Sequence, residues 1–363
     1  MEFQLNCLKA LKSAIVDYKK SSDWSETIKT AEIHNPWFTQ KNIELSLDQW
    51  LLALSDEQIE QWLKRYDFSA AESRISGVEL PNQMHDNGIN PQADHPKTVG
   101  IIGAGNIPFV VMHDVICAVL AGFKVKLRLS SDDDILPKMW LNAAANFHPI
   151  WKENIEYTDK LKGIDRAIAT GSNNTYRYFE YYFRHIPHIL RKNRHSIGVL
   201  APNNQCSEQD YIDLGQDVFH YFGKGCRNIT QLFLPEGFEF KPLFDVWEKH
   251  YGSVLFHNKY ANNYNYHKAL LLMNLDPHID SGYLLLKERD QLHSPVGMLN
   301  YQYYKSTQEI EAFFAKHQDE IQCVVSNVDL HDSIKTEKLG AAQCPTLWEY
   351  ADGVDTMEWF LHI

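Results

Sequence analysis

Apolar residues recur at helical spacing from the start of the chain, at Leu5, Leu8, Leu11 and Ile15 and again at Leu45, Trp50, Leu51 and Leu54. Ser55 followed by Glu57 and Gln58 predicts a capped short helix through Ile59 and Leu63. The periodicity then stops. Asn82 to Lys97 is polar and proline-bearing, and reads as a loop or linker. After it the pattern changes to short apolar runs broken by glycine. Thr98 to Ile102 predicts a strand, Gly103-Ala104-Gly105-Asn106-Ile107-Pro108 a turn, and Val111, Val115, Ala118 and Val119 one face of a helix stopped by Gly122. Phe123 to Leu129 alternates as a second strand and ends at Ser130-Ser131.

The same logic extends downstream. Asp165 to Ala169 predicts a strand breaking at Gly171, with Ser172 capping a helix whose apolar face is Tyr176, Phe179, Phe183 and Ile186, up to Pro187. Ile197 to Leu200 reads as a strand. Ser207 and Asp210 resemble a capping box opening a helix through Leu214, Val218 and Phe222 that ends at Gly223. Strands are expected at Gln231 to Leu234, near Gly282 to Leu286, near Val296 to Tyr304 and at Ile321 to Ser326, with a helix from Ser306 to about His317. Alternating strands and helices of this kind predict an α/β fold.

Composition narrows the function. With 363 residues the chain has the length for two or three lobes. A formal charge of -12 argues against a nucleic-acid surface. Six cysteines without paired spacing point to reduced thiols, and no zinc or other metal site is expected from them or from His185 and His188, which Pro187 separates. No apolar run approaches the ~20 residues of a membrane span and no basic-then-apolar start is present, so a cytoplasmic protein is expected.

Three stretches carry candidate chemistry. Gly223-Lys224-Gly225-Cys226-Arg227-Asn228 presents a thiol in a glycine-flanked turn beside two cations, which favour the nucleophilic thiolate; a lone cysteine is otherwise a small buried hydrophobe. Gly103 and Gly105 after a strand suggest a dinucleotide loop, with Lys126 or Arg128 for a 2'-phosphate, but Pro108 replaces the third glycine and removes an N–H. Gly171 and Ser172 open a helix whose free N–H groups suit an anion, or merely cap it. His257, His267 and His293 are each a proton donor or a satisfied core histidine.

In order, Gly105 to Pro108, Leu120 to Ser130, Ala169 to Ser172 and Gly225-Cys226 resemble the signature order of the aldehyde dehydrogenase superfamily. Within it the chain is most similar to the acyl-CoA reductases related to LuxC, the reductase of bacterial bioluminescence, especially at Ala169 to Thr175, Tyr221 to Asn228, Tyr260 to Tyr264 and Tyr350 to Asp355. The likeness runs from about Asn35 onward.

That resemblance implies an aldehyde-dehydrogenase-like fold: a Rossmann-type cofactor domain plus an α/β catalytic domain. It implies a helical region over 1–95 packing on the cofactor domain, a dinucleotide-binding domain at 96–200, a catalytic domain at 201–330 and a segment at 331–363 returning to the cofactor domain. Cys226 is then the nucleophile and Asn106 the oxyanion donor. Cofactor contacts fall to Lys126, Arg128, Ser130, Gly171 and Ser172.

Two departures shape the expected reaction. Arg128-Leu129-Ser130-Ser131 lacks the ribose-binding acid, favouring NADPH with NADH as the alternative, and Lys192 to Leu200 contains no water-activating glutamate. The expectation is reduction of an acyl-CoA or acyl-carrier-protein thioester, fatty acyl above all, to the aldehyde; a homo-oligomer is compatible with it. Two other readings stay open: an ordinary NADP-dependent dehydrogenase using Gly103 and Gly105, and a non-catalytic acyl-protein binding partner.

Overall fold

The computed structural model describes residues 1–76 and 97–362, so most of the expected linker at 82–97 lies outside the described residues. The chain divides into two compact units, Met1–Lys192 with Thr346–Ile363, and Asn193–Pro345.

The first unit opens with helices α1 (Glu2–Tyr18), α2 (Asp23–His34), α3 (Gln40–Ala53), α4 (Asp56–Leu63) and α5 (Ser69–Ser76). Ser55 caps α4 by accepting the Gln58 N–H, as its sequence pattern demands. Then follow β1 (Thr98–Ile102), α6 (Met112–Leu120), β2 (Lys124–Arg128), α7 (Ile135–Ala145), α8 (Ile150–Glu153), β3 (Ile155–Tyr157), β4 (Arg166–Thr170), α9 (Asn173–Phe183) and β5 (His188–Arg191). The five strands form one parallel sheet in the order β3-β2-β1-β4-β5. Strand order reverses at β1, so a ligand crevice is expected at the carboxyl ends of β1 and β4.

Helix α6 was expected to show one apolar face, yet Ile116 and Cys117 are buried along with Val115, Ala118 and Val119. The helix is covered nearly all round, and its one charged side chain, Asp114, is buried with the rest. Pro108, which replaces the third glycine of a dinucleotide loop, stands four residues ahead of this helix, whose first residue is Met112.

The second unit contains β6 (His195–Val199), α10 (Glu208–Phe219), β7 (Ile229–Pro235), α11 (Phe240–Tyr251), α12 (Asn258–Met273), β8 (Ile279–Asp280), β9 (Leu285–Glu288), β10 (Met298–Tyr304), α13 (Thr307–His317) and β11 (Ile321–Ser326). Residues 193–200, grouped with the cofactor domain by the sequence, thus supply the second sheet with β6. Its order is β11-β6-β7-β10-β9-β8, parallel apart from β8 against β9. The Ser207–Asp210 capping box opens α10 as the sequence predicts, but the helix stops at Phe219. The continuation to Gly223 does not form: Tyr221, Phe222 and Gly223 all take left-handed backbone, with φ of 52°, 56° and 74°.

The chain returns to the first unit through Thr346–Ile363, including α14 (Thr356–Leu361). The return is fastened by polar bonds inside an apolar core. Trp62 Nε1 donates to Tyr350 Oη at 2.8 Å, and Tyr66 Oη donates to Asp355 Oδ2 at 2.7 Å. Arg191 pairs with Asp114, both almost fully buried, and donates to Thr356 Oγ1 at 3.0 Å. Removing one member of such a pair would leave a buried uncompensated charge. Among the described residues, no helix is long and apolar enough to cross a membrane.

Candidate active site

At the carboxyl edge of the first sheet, Ile102 lies level with Arg128 of β2 and Ala169 of β4. The turn bearing Asn106, the end of β2 and the Gly171-Ser172 junction therefore leave the sheet side by side. Asn106 and four of the five expected cofactor residues share this edge; Lys126 lies two residues back along β2.

The Asn106 turn is tightly seated. A Cβ at Gly105 would come within 2.6 Å of Ser130 Oγ and 3.0 Å of Asp132 Cβ. Only glycine fits that approach. Ser46 Oγ donates to Pro108 O at 3.1 Å, and the Phe109 N–H, at a left-handed φ of 62°, donates to Asp133 Oδ2 at 2.8 Å. Asp133 is buried, which pushes its carboxyl well up against the pull of that N–H. Sequence reading missed Asp133 and Ser46, whose only signal was an acid three residues past Ser130 and a serine in a helix. Six residues of turn separate Gly105 from the start of α6, so the glycine turn does not run into a helix as a dinucleotide loop does.

Of the cofactor candidates, Gly171 has Phe179 and Thr175 at 3.0 and 3.1 Å from any added Cβ. Ser172 Oγ accepts the Thr175 N–H at 3.3 Å and caps α9. Arg128 is exposed, its carbonyl accepts the Gly103 N–H at 3.0 Å, and its guanidinium makes no hydrogen bond or ion pair among the described residues. Lys126 differs, because its ammonium donates to Lys162 O at 2.5 Å.

Cys226 stands at the head of β7 in the second unit and is exposed, whereas Cys7, Cys117 and Cys323 are buried and Cys344 is exposed in a later loop. Burial pushes the Cys7 thiol up to about 12 and the Cys117 thiol up as well, so neither is a nucleophile at neutral pH. The Cys226 carbonyl accepts from Ser196 Oγ at 2.9 Å.

Beneath the turn sits Asn228, fully buried. Its Oδ1 accepts the Gly225 N–H at 2.7 Å, and its Nδ2 donates to Asp217 O at 2.9 Å and His220 O at 2.8 Å. One amide thus ties the turn that carries Cys226 to the end of α10. The ring of Phe222 packs on His257 with centroids 4.3 Å apart, which helps hold the left-handed pair in place. Arg227 turns inward, donating to Ala342 O at 3.2 Å. A pocket beside the turn is lined by Val218, Phe222, Thr230, Tyr260, Val296 and Met298.

Asp217 closes the clamp, accepting the Gly340 and Ala342 N–H groups at 2.6 and 3.0 Å. Burial pushes its carboxyl up to about 7, partly opposed by those two bonds. The folded protein therefore holds a proton that the unfolded chain releases near 3.8. The resulting stabilisation is full below that value and is lost as pH rises through about 7. Relative to Asp217→Asn, the wild type should lose on the order of 4 kcal/mol of unfolding free energy between about pH 4 and 8. Urea titrations of both proteins across that range test this; parallel curves would contradict it.

No protein-family model matches the chain, and no curated protein matches it in sequence. Solved structures do match over nearly its whole length. An oxidoreductase from Marinobacter aquaeolei aligns with 98% of this chain and 81% of its own at a TM-score of 0.61 and 10% identity. A variant of aldehyde dehydrogenase C from Pseudomonas syringae, in complex with NAD+ and octanal, covers 92% and 73% at 0.59 and 11%. An acetylating aldehyde dehydrogenase from Geobacillus thermoglucosidasius covers 98% and 90% at 0.58 and 11%.

The chain has the aldehyde dehydrogenase fold. At such identities the likeness is one of architecture, and the chemistry has to be argued from the residues. Among the described residues, no group of three or more His, Cys, Asp or Glu could hold a metal ion.

Proposed function

We propose that this protein reduces an acyl-CoA, in particular a fatty acyl-CoA, to the aldehyde with NADPH, through an acyl-enzyme on Cys226. The observation that carries the reading is the exposed Cys226 on a turn fixed from beneath by the fully buried Asn228. A rigid, accessible thiol at a helix-to-strand junction suits covalent catalysis. A structural neighbour that is an acetylating aldehyde dehydrogenase supports thioester chemistry, and one in complex with NAD+ supports a nicotinamide cofactor.

The first unit fits such a cofactor. At Gly171 the backbone runs where no side chain has room, and Ser172 leaves the first N–H groups of α9 available to phosphate oxygens. Arg128 is the exposed cation at the edge, suited to a 2'-phosphate, with Ser130 beside it; Lys126 contributes charge from its bond to Lys162 O. Bound NADPH would supply the hydride.

In this reading the Cys226 sulfur attacks the thioester carbonyl, a carbon–sulfur bond forms, and the CoA sulfur departs. Asn106 donates its amide to the oxyanion, with the Cys226 N–H as second donor. Hydride arriving at the acyl carbon makes Cys226 the next leaving group, and the aldehyde is released. The segment Lys192 to Leu200 holds no carboxylate to activate water, so the acyl-enzyme persists until it is reduced.

The direct test is NADPH oxidation with acyl-CoA thioesters of graded length, NADH and acyl-carrier-protein thioesters run in parallel. Thioester-dependent oxidation with stoichiometric release of the free thiol is expected. No oxidation with any thioester would overturn the reading and favour a non-catalytic binding partner. Turnover that survives complete thiol alkylation would point to an ordinary dehydrogenase.

A further inference from the structure

Three neighbouring strands of the second sheet begin at one edge. Parallel pairing sets Ser196 of β6 level with Ile229 of β7, and Gln231 of β7 level with Asn300 of β10. Cys226 lies three residues before β7, with its carbonyl bonded to Ser196. His195 opens β6, and His293 lies in the loop leading into β10. Their rings meet edge to face, with centroids 5.4 Å apart and planes at 62°. One imidazole from β6 and one from the loop before β10, the two strands that flank β7, therefore meet at the edge of the sheet where the Cys226 turn enters β7.

The loop that delivers His293 is built with unusual polar investment. Asn300 and Gln231 are both fully buried within the sheet. Asn300 Nδ2 donates to Gln291 O at 2.6 Å and His293 O at 3.0 Å, while its Oδ1 accepts from Arg289 Nε at 2.7 Å. Gln231, with its amide nitrogen turned to the loop, donates to Gln291 O at 3.0 Å and Arg289 O at 3.3 Å. Buried amides are costly unless bonded, and here their bonds shape the one loop that presents His293. His293 itself is exposed, whereas His195 is half-buried.

We propose that His293 is the proton carrier of the Cys226 site, with His195 as the residue that positions it. His293 takes the proton from the Cys226 thiol as the sulfur attacks the thioester. A bond from Cys226 sulfur to the acyl carbon forms and the bond to the CoA sulfur breaks. His293 then gives the same proton to the departing CoA sulfur, so the half-reaction neither gains nor loses a proton. Imidazole is the side chain that exchanges a proton near neutrality. The inference rests on the acyl-thioester reading of Cys226.

The surroundings suit a transient charge. Burial, and next the neighbouring His293, pushes His195 down to about 4 against the pull of Glu320, so the supporting ring stays neutral. On the other side lie His267 and Arg289; His267 is lowered by burial, then by Arg289 and His293. Among the described residues His293 forms no ion pair, so a proton taken from sulfur is not trapped by a carboxylate.

The experiment is acylation of Cys226 by a short acyl-CoA without NADPH, followed by intact mass from about pH 6 to 9 in the wild type, His293→Ala and His293→Gln. Both variants should acylate on the order of 100-fold more slowly and lose the wild-type dependence near neutrality. Added imidazole should restore about tenfold or more to His293→Ala. NADPH binding, read by fluorescence, should stay within about twofold of the wild type. Acylation within about threefold of the wild type with the same pH profile would overturn the inference. So would a loss that imidazole does not relieve and that leaves the pH profile unchanged, since that is a structural effect. A wild type that forms no adduct on Cys226 refutes the reading of Cys226 itself, whereas an adduct formed equally well by the variants refutes only the role of His293.

Discussion

Cys226→Ala is expected to lower thioester-dependent NADPH oxidation by at least about 10⁴-fold, because it removes the atom proposed to form the covalent intermediate. Mixing the wild type with acyl-CoA in the absence of NADPH should leave a stable acyl mass on Cys226, and the variant should show none. The substitution should leave the fold intact. Cys226 is exposed, and the bond that fixes its position runs through its carbonyl to Ser196, which alanine retains. An unchanged unfolding midpoint would therefore assign the loss to chemistry. Turnover of Cys226→Ala at the wild-type rate would remove the cysteine from the mechanism.

Asn106→Ala is expected to lower kcat by about 10²- to 10³-fold with a much smaller change in KM. The reason is differential: a donor aimed at a developing oxyanion bonds more strongly in the transition state than to the resting carbonyl. The turn should keep its path in the variant, because Gly105 against Ser130, Ser46 against Pro108 O and Asp133 against the Phe109 N–H all remain. Steady-state kinetics with a saturating thioester separates the two parameters. A rise in KM with kcat unchanged would make Asn106 a binding residue without a role in oxyanion stabilisation.

What the sequence makes legible is the part whose causes are local. The run Thr98 to Ile102, the glycine turn, the apolar positions of α6 and the alternation through Val125 and Leu127 each report the element they form, within a residue or two. Ser172, Ser207 and Asp210 act as caps because the bonds they make lie within three residues of themselves. The end of α10 is different. Val218 and Phe222 keep helical spacing, yet the chain leaves the helix at Phe219, and left-handed backbone at Tyr221 and Phe222 costs roughly 1–2 kcal/mol per residue. The compensation comes from Asn228 and from the Phe222–His257 contact, neither of which a periodicity can show. An asparagine three residues after Gly225 was the available signal, since an amide at that spacing can accept the glycine N–H.

The histidines make the same point about distance. His293 alone reads as either a proton donor or a core residue. Its partner His195 is 98 positions earlier, and only the order of strands, with β7 between β6 and β10, reveals that the two belong to one edge. Likewise the buried pair of Asp114 and Arg191, and its bond to Thr356, joins a helix, a strand and a later segment. Charge in the sequence gives no hint of such pairing.

That last connection bears on how the molecule is made. The first unit draws on residues 1–192 and on Thr346–Ile363, so a chain emerging from the ribosome exposes Asp114, Arg191 and the hydroxyls of Tyr66 and Tyr350 to their partners at very different times. Asn193–Pro345 is complete before the segment that covers α6 and satisfies Arg191 exists. At about 5–20 residues per second, the 153 intervening residues hold the first unit open for about 8 to 30 seconds. Synthesis therefore completes the second unit before the last segment of the first, and the interval is one in which the face of α6 that this segment covers is open to chaperones and to aggregation.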